Sequence, residues 1–259
     1  MRLQSVELQV EDLAKAAGFL EKTWGLTAAG TAGKAHLFRG TSDLPHLLAL
    51  SQGTPALLSL TFCGPEVAAP RTVEGPEGQR YRFVPETKTA PLPAHRDKPI
   101  QLSHVVLNCA DVDAAERFAV GELGFKVSDR TAHMTFVRCN RTHHCIAFAR
   151  GGYSSLNHIA FEMQDLDGVM RGIGRLRDAG YACTWGPGRH GPGNNVFGYF
   201  VAPFGANIEY TSEVTEVGDD YRVGAPADWK WPPGRVDQWG ISKRGAAMGE
   251  AEKRFRWAA

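Results

Sequence analysis

The sequence predicts an α+β protein of tandem βαβββ modules paired into two domains, each an open barrel-like mixed sheet with outer helices. Three observations favour this fold class. A segment is repeated along the chain, each copy has the order strand, helix and further strands, and a Pro-rich stretch separates the two halves.

The internal repeat is visible as two segments that align without a gap. LQSVELQVEDLAKAAGFLEKTWGL, from Leu3, lies over LSHVVLNCADVDAAERFAVGELGF, from Leu102. A third copy, LNHIAFEMQDLDGVMRGIGRLRDAGY, begins at Leu156 and keeps the interval between a histidine and an aspartate that the second copy has. The matched pairs of the first two copies, each 99 positions apart, are Leu3 with Leu102, Leu8 with Leu107, Asp12 with Asp111, Phe19 with Phe118 and Gly25 with Gly124.

Each copy carries the signals of a strand, a helix and further strands. The apolar strand is followed by Asp-Leu or Asp-Val, in which the aspartate is a candidate helix N-cap. In the second copy Ala115, Phe118 and Ala119 share one face of the helix, and a glycine ends it. Alternating segments then predict strands, HMTFVRC and HHCIAFAR after the second copy and NVFGYFVA and ANIEYTS after the third.

The chain is expected to divide into two domains and a tail. A fourth copy, more weakly marked, is expected around ALLSLTFCG, where helix signals are poor and prolines frequent. The Pro-rich polar stretch ETKTAPLPAHRDKPI is typical of a linker. We therefore predict an N-terminal domain over residues 1–93, a C-terminal domain over 98–215 and a Trp- and Pro-rich tail over 216–259.

Composition and charge exclude several classes of protein. The chain has 259 residues, 43% of them hydrophobic and 22% charged, and a formal net charge of +1, so no global field attracts nucleic acid or an anionic membrane. The N-terminal segment lacks the pattern of a signal peptide, and no apolar run approaches the ~20 residues that span a bilayer. The five cysteines have no CxxC or CxxH spacing, which disfavours a disulfide framework and a thiolate metal cage. We predict a cytoplasmic protein.

A histidine recurs at one position of the repeat, His104 in the second copy and His158 in the third. A single histidine in an apolar strand is more often a hydrogen-bonded core residue than a ligand. Two modules paired by a pseudo-two-fold axis would instead bring both imidazoles onto one concave surface, which suits a metal. Glu209, among the apolar residues of ANIEY, is a candidate carboxylate ligand, and the alternative is that strand alternation turns it to solvent.

The segment from about Leu102 to Tyr210 resembles the catalytic domain of the type I extradiol ring-cleavage dioxygenases, in the vicinal oxygen chelate superfamily. The motifs that carry the resemblance are SHVVL, RTHHCIAF, LNHIAFEM and GPGRHGPGNNVFGYFVAPFGANIEYT. The resemblance implies that His104, His158 and Glu209 form a 2-His-1-carboxylate facial triad for Fe(II), with Mn(II) as the alternative. Three ligands on one face leave the opposite face open to a diol and dioxygen.

The same resemblance implies roles for residues around the metal. His144 matches the histidine thought to be the acid–base partner of the bound oxygen species, although the doublet leaves open whether His143 or His144 takes this role. His190 and Tyr199 match positions that hydrogen-bond the catechol oxygens, and the alternative for Tyr199 is a core aromatic.

Two further predictions concern the shape of the site. Asn194 and Asn195 follow a Gly-rich loop and are candidate substrate contacts, although GPGNN is also ordinary turn chemistry. Glyoxalase-type relatives take another carboxylate from the last strand of the first module. That strand is HHCIAFAR here, and the position facing the glutamate is Ala147 or Phe148, neither of which binds metal.

The N-terminal half and the tail depart from the metal pattern. Ser5 stands where a ligand histidine would stand, so this half is expected to hold no metal and to act as a structural duplicate. Trp229, Trp231 and Trp239 of the tail are expected to pack as a lid or to mediate contacts between subunits.

The leading hypothesis is an Fe(II)-dependent extradiol dioxygenase that inserts O2 into a catechol-type ring next to its hydroxyl pair. The expected partners are a small aromatic diol and O2, with no nucleic acid and no membrane, and the family often forms homo-oligomers. Two alternatives stay open. One is a metal-dependent lyase or isomerase of the glyoxalase type, and the other is a non-catalytic module that binds an aromatic or drug-like ligand.

Overall fold

The N-terminal half of the chain forms one mixed sheet with one helical segment against it. The computed structural model describes residues 1–258. The strands lie in the order β2-β3-β4-β1-β5-β7-β6. The elements are β1 (Arg2–Val10), α1 (Leu13–Phe19) continued by a π-helical turn (Leu20–Trp24), β2 (Thr27–Ala32), β3 (Ala35–Arg39), β4 (Leu48–Gln52), β5 (Ala56–Gly64), β6 (Arg71–Glu74) and β7 (Arg80–Pro85).

The C-terminal half forms a second mixed sheet, followed by the tail. Its strands lie in the order β13-β14-β15-β12-β8-β11-β10-β9. The elements are β8 (Leu102–Cys109), α2 (Val112–Gly121), β9 (Lys126–Arg130), β10 (Met134–Arg138), β11 (Ile146–Arg150), β12 (Ser155–Glu162), α3 (Leu166–Asp178), β13 (Trp185–Arg189), β14 (Val196–Val201), β15 (Asn207–Ser212) and, in the tail, α4 (Ala246–Ala251).

The predicted fold class is confirmed, and one of its four modules is incomplete. The modules that begin at β1, β8 and β12 each have the full order βαβββ. In the module that begins at β5, the chain described by the structure passes from β5 to β6 without a helix. Pro65 and Pro70 lie in this connection, and proline removes a helix hydrogen bond and clashes with the preceding turn.

The 99-residue repeat of the sequence reappears as the hydrogen-bond register of the sheets. β8 pairs antiparallel with β12 as β1 pairs with β5, and both pairs have irregularities at the same two places. Each position in one half therefore has a defined counterpart in the other. Near the site, Ala160 lies opposite His104, and the counterpart pair in the N-terminal half is Thr61 opposite Ser5. Val106 lies opposite His158, and its counterpart pair is Glu7 opposite Ser59.

The predicted helix caps are present. The side chains of Asp12, Asp111 and Asp165 each accept a hydrogen bond from the backbone N–H three residues on, which satisfies a first-turn donor. A glycine with positive φ follows each helical segment, a conformation that suits glycine because it lacks a Cβ. The three glycines are Gly25 (φ 97), Gly124 (φ 72) and Gly180 (φ 86).

The two halves pack together behind the strands that carry the site. Trp24, from the π-helical turn, stacks on Tyr210 of β15 with ring centroids 3.8 Å apart. Arg175 of α3 donates to the Tyr210 hydroxyl at 2.8 Å and to the Trp24 carbonyl at 3.1 Å. These contacts fix β15 against the N-terminal half.

The tail returns across both sheets. It forms a parallel bridge between Leu57 and Trp257 and an antiparallel bridge between Ser155 and Arg256. The two sheets lie on either side of the Pro-rich stretch, and the domain limits 1–93, 98–215 and 216–259 stay predictions. Among residues 1–258, the structure has no helix that combines the length and apolarity needed to cross a bilayer.

Candidate metal centre

Three neighbouring strands of the C-terminal sheet carry the predicted ligands. Ala160 on β12 is paired with His104 on β8 at one side and with Glu209 on β15 at the other. His158 lies two residues before Ala160, so strand alternation points it to the same face. The structure therefore brings the three side chains together on one face of the sheet.

The spacing of the three donor atoms suits one face of a metal. Nε2 of His158 lies 3.1 Å, and Nε2 of His104 lies 3.4 Å, from Oε2 of Glu209. The two imidazole nitrogens are 3.5 Å apart. Ligands at about 2.1 Å from a metal are about 3.0 Å apart when adjacent and about 4.2 Å apart when opposite. The three spacings lie nearer the adjacent value, as in a 2-His-1-carboxylate facial triad.

A buried carboxylate oxygen at the centre has no hydrogen bond. Glu209 is fully buried, and its Oε2 has no hydrogen-bond partner among residues 1–258. Burial alone would raise the pKa of Glu209, but His104 and His158 outweigh this effect and hold the pKa below its usual range. When both histidine rings are neutral, this ionised oxygen lies unpaired in the interior, which costs roughly several kcal/mol. A divalent cation among the three donors would remove that cost, so the donor set fits a divalent metal.

A polar residue directly before each histidine holds its ring. Nδ1 of His104 lies 3.0 Å from the Ser103 hydroxyl, and Nδ1 of His158 lies 2.8 Å from the carbonyl oxygen of the Asn157 side chain. A ring that donates through Nδ1–H keeps the lone pair of Nε2 for a metal. Burial lowers the pKa of His158, which favours the neutral ring that metal binding requires.

A cavity of about 550 Å³ opens at this face of the sheet, and both ligand histidines line it. Its walls are largely apolar, as in sites that bind small aromatic molecules. The apolar lining residues include Val106, Ala132, Met134, Phe136, Ala149, Trp185, Pro192, Trp229, Trp231, Val236 and Met248.

His144, His190 and Tyr199 line the same cavity. Nε2 of His190 lies 3.0 Å from the Tyr199 hydroxyl, which lies 3.5 Å from Nε2 of His158. The rings of His144 and His104 have centroids 4.3 Å apart. Burial lowers the pKa of His190 to about 4, lowers the pKa of His144 well below its usual value and raises the pKa of Tyr199. All three groups are therefore uncharged at neutral pH.

The histidine doublet divides into one residue at the cavity and one behind it. His144 lines the cavity, whereas His143 does not. Nδ1 of His143 lies 3.0 Å from Nδ1 of His144, and its Nε2 lies 2.7 Å from Oδ2 of the buried Asp129. The structure thus places His144, and not His143, beside the ligand His104.

The position that would offer a fourth protein ligand is an alanine. β11 pairs with β8 as β15 pairs with β12, so Ala147, opposite Val106, is the counterpart of Glu209. Of the two candidates from the sequence, Ala147 and Phe148, the register selects Ala147. A methyl group cannot bind a metal, so the position equivalent to Glu209 supplies no ligand.

The N-terminal sheet has other residues at the ligand positions. The residues at these positions supply two hydroxyls and a guanidinium, which are not a typical donor set for a cation. That this half holds no metal stays a prediction. Glu7 accepts from the Ser59 hydroxyl at 2.9 Å and lies 3.7 Å from the Arg82 guanidinium. By register, the counterparts are Ser5 for His104, Ser59 for His158 and Arg82 for Glu209.

The two asparagines predicted to contact substrate lie elsewhere. In the described part of the chain, neither Asn194 nor Asn195 is among the residues that line the cavity. Asn194 is exposed and accepts from the Gln238 side chain at 2.7 Å. The Asn195 amide donates to Thr211 at 2.7 Å and lies 3.4 Å from Oε1 of Glu209. Asn195 therefore supports a ligand, and the geometry does not favour substrate contact by either residue.

Several residues that reach the cavity were missed by the sequence analysis. Arg244, Met248 and Glu252 of the tail line it together with Trp229 and Trp231, and Arg244 forms an ion pair with Glu252. The Trp-rich composition of the tail was the signal available, because a contact between a tail and a distant sheet leaves no spacing pattern. Trp239 lies instead against the Arg189 guanidinium.

Comparisons with known proteins place this architecture in a family. A family model described as the glyoxalase/bleomycin resistance protein/dioxygenase superfamily matches residues 101–210, which include His104, His158 and Glu209. The crystal structure of the Mn(II)-bound glyoxalase from Novosphingobium aromaticivorans is 31% identical, with a TM-score of 0.84, over 95% of this chain and 93% of that chain. The chain belongs to the glyoxalase/bleomycin resistance protein/dioxygenase superfamily.

Two further proteins are similar to this chain over different lengths. Metapyrocatechase 2 from Cupriavidus necator is 32% identical over 186 residues, which are 68% of this chain and 54% of that protein. Homoprotocatechuate 2,3-dioxygenase from Arthrobacter globiformis shares the fold with a TM-score of 0.84 at 22% identity, over 97% of this chain and 91% of that chain. The chain spans about half the length of the curated relatives that it matches.

Proposed function

We propose that this protein is an extradiol dioxygenase that inserts O2 into a catechol-type ring next to the vicinal hydroxyls, with Fe(II) as cofactor. The observation that carries the proposal is the group of three donor side chains, His104, His158 and Glu209, in which Oε2 of Glu209 is buried without a hydrogen bond among residues 1–258. The two histidines line an apolar cavity that His144 and Tyr199 also line. The similarity to metapyrocatechase 2 and to homoprotocatechuate 2,3-dioxygenase supports this assignment.

His104, His158 and Glu209 would hold the metal. Fe(II) at such a triad supplies an open face for both diol and O2 and a path for electron density between them. Mn(II) suits the same donors, and the Mn(II)-bound relative supports a divalent metal of either kind.

The pair of His190 and Tyr199 is placed to orient the diol. The Tyr199 hydroxyl lies between His190 and His158, so a substrate oxygen bound beside His158 would meet it. Burial raises the pKa of Tyr199, which keeps the hydroxyl protonated and able to donate to that oxygen.

His144 is placed to exchange a proton with the substrate. Its ring lies beside His104, and burial lowers its pKa, so the neutral imidazole can accept a proton from a substrate hydroxyl and return it later. The apolar walls, among them Phe136 and Trp185, would exclude water from this exchange.

A metal-dependent lyase or isomerase is the second candidate, because the Mn(II)-bound structure similar over nearly the whole chain is a glyoxalase. Ala147 at the fourth position favours the dioxygenase, since it leaves room for two external ligands. A homo-oligomer and a cytoplasmic location stay predictions from the sequence.

The proposal is tested by anaerobic reconstitution with Fe(II), addition of monocyclic and bicyclic catechols and admission of air. We expect uptake of one O2 per diol consumed and a yellow ring-fission product. Turnover with Ni(II) or Zn(II) that needs no oxygen would support the lyase or isomerase instead. Tight binding of aromatic ligands by a protein that retains no redox-active metal would support a binding module.

A further inference from the structure

A chain of three buried side chains runs from the cavity into the interior. Nδ1 of His144 lies 3.0 Å from Nδ1 of His143, and Nε2 of His143 lies 2.7 Å from Oδ2 of Asp129. Their exposed fractions are 2% for His144, 1% for His143 and 0% for Asp129. Neither His143 nor Asp129 reaches the metal donors, so the metal site does not account for this pair.

The carboxylate of Asp129 sets the direction of the hydrogen bonds, and two other groups also donate to it. Oδ1 of Asp129 accepts from the Gly224 N–H at 2.7 Å, and the Tyr221 hydroxyl donates to Oδ2 at 3.3 Å. A carboxylate only accepts, so Nε2 of His143 carries the proton that lies between His143 and Asp129. In the neutral ring Nδ1 of His143 is then an acceptor, and Nδ1 of His144 must donate to it.

We propose that Asp129 and His143 are positioning residues that hold His144 in the tautomer with its proton on Nδ1. The other nitrogen of His144, Nε2, has no hydrogen-bond partner among residues 1–258, and the ring lines the cavity. His144 therefore presents a lone pair to the cavity, where it accepts a hydrogen bond from a ligand hydroxyl.

The catalytic consequence rests on the proposed function, whereas the tautomer does not. When a diol hydroxyl transfers its proton, the O–H bond breaks and an Nε2–H bond forms on His144. The resulting imidazolium keeps its Nδ1–H on His143, whose own N–H points to the Asp129 carboxylate. The same chain of hydrogen bonds therefore holds His144 in one orientation before and after the transfer.

The test is the ring-nitrogen NMR spectrum of Zn(II)-loaded protein labelled with ¹⁵N in its histidines, with the His144 signals assigned by their loss in His144→Gln. In the wild type we expect a protonated shift at Nδ1 and an unprotonated shift at Nε2 of His144. A protonated Nε2 in the neutral ring would overturn the proposal, and this measurement needs neither turnover nor a further variant.

Asp129→Asn should reverse the direction of the hydrogen bonds from residue 129 through His143 to His144. The side-chain oxygen of the introduced amide can keep accepting from Gly224 while its nitrogen donates to Nε2 of His143, so His143 would donate to Nδ1 of His144 and the His144 proton would move to Nε2. We expect that shift in the spectrum and a loss of kcat on the order of 10²-fold with KM nearly unchanged. A folded variant with the wild-type tautomer would overturn the proposal.

Two matched variants separate tautomer control from structural support. His143→Gln can accept from His144 and donate to Asp129, so it should keep the tautomer and most of kcat. Tyr221→Phe removes a neighbour of Asp129 without changing the chain and should leave the spectrum unchanged. Loss of the tautomer in Tyr221→Phe, or its loss in a folded His143→Gln variant, would contradict the proposed chain.

The two proposals fail in different ways. The expected spectra in a protein that takes up no oxygen would leave the positioning of His144 standing and refute the dioxygenase. An active dioxygenase whose Asp129→Asn variant has the reversed His144 tautomer and wild-type kcat would refute the catalytic role given to that tautomer.

Discussion

At the scale of single residues, the repeat made two ligands predictable and left other residues hidden. His104 and His158 stand out because they occupy one position of two copies, and β12–β15 pairing then brings Glu209 beside them. Asp129 could not be predicted, because in KVSDR it precedes an arginine on an edge strand and resembles a solvated residue. Its burial comes partly from Gly224, 95 residues further along the chain.

We predict that His104→Ala and Glu209→Ala each lower the iron affinity by more than about 100-fold, because each removes a donor and not merely a supporting group. Turnover should be lost with the metal. Metal analysis of protein reconstituted with Fe(II) measures the first effect, and oxygen uptake measures the second. His36→Ala, at an exposed position on β3, is the control and should keep both.

We predict that His144→Phe keeps iron and lowers kcat on the order of 10²-fold, since phenylalanine fills the space but cannot exchange a proton. Metal analysis and steady-state kinetics on the same preparation separate the two effects. His36→Phe, at an exposed histidine on β3, is the control and should change neither. Wild-type turnover in His144→Phe would show that its assigned role is wrong.

At the scale of elements, the strands and helices followed from the sequence wherever the repeat was clear. The incomplete module at β5 was the weakly marked copy, and the prolines that weakened its signal also prevent its helix. The route of the tail was not predictable beyond the expectation of a lid. Trp231 packs so closely on Gly191 that a Cβ there would lie 2.4 Å from the indole, a contact between segments far apart in the chain.

We therefore predict that Gly191→Ala displaces Trp231 and raises KM roughly several-fold, while the metal content stays unchanged. The control is Gly174→Ala in α3, where an added Cβ meets no atom within 4 Å. It should leave KM unchanged and stabilise the helix by about 0.5–1 kcal/mol. Steady-state kinetics and urea unfolding measure these effects, and equal KM values for the two variants would contradict the packing of the tail at the cavity.

At the scale of the whole molecule, the N-terminal half supports the site without supplying a ligand. The sequence showed that the halves are duplicates, and the register shows that Arg82 stands where the other half has Glu209. How the halves pack was not predictable, because Trp24 and Tyr210 match no motif and are 186 residues apart. Their stacking holds β15, and therefore Glu209, against the N-terminal half.

We predict that Trp24→Ala destabilises the protein by about 3–5 kcal/mol, because it leaves a large cavity between the halves. It should also weaken metal binding, since β15 loses the surface it packs against. Urea unfolding and metal titration measure the two effects. Ile241→Ala, at a site that is 69% exposed, is the control and should change neither.

The central claim is that one divalent metal binds each chain through His104, His158 and Glu209. The most direct measurement is a titration of metal-free protein with Mn(II), followed by the electron paramagnetic resonance signal of the free ion. We expect one tight site per chain in the wild type and none in His158→Ala. Two tight sites per chain, or one that survives in His158→Ala, would contradict the account.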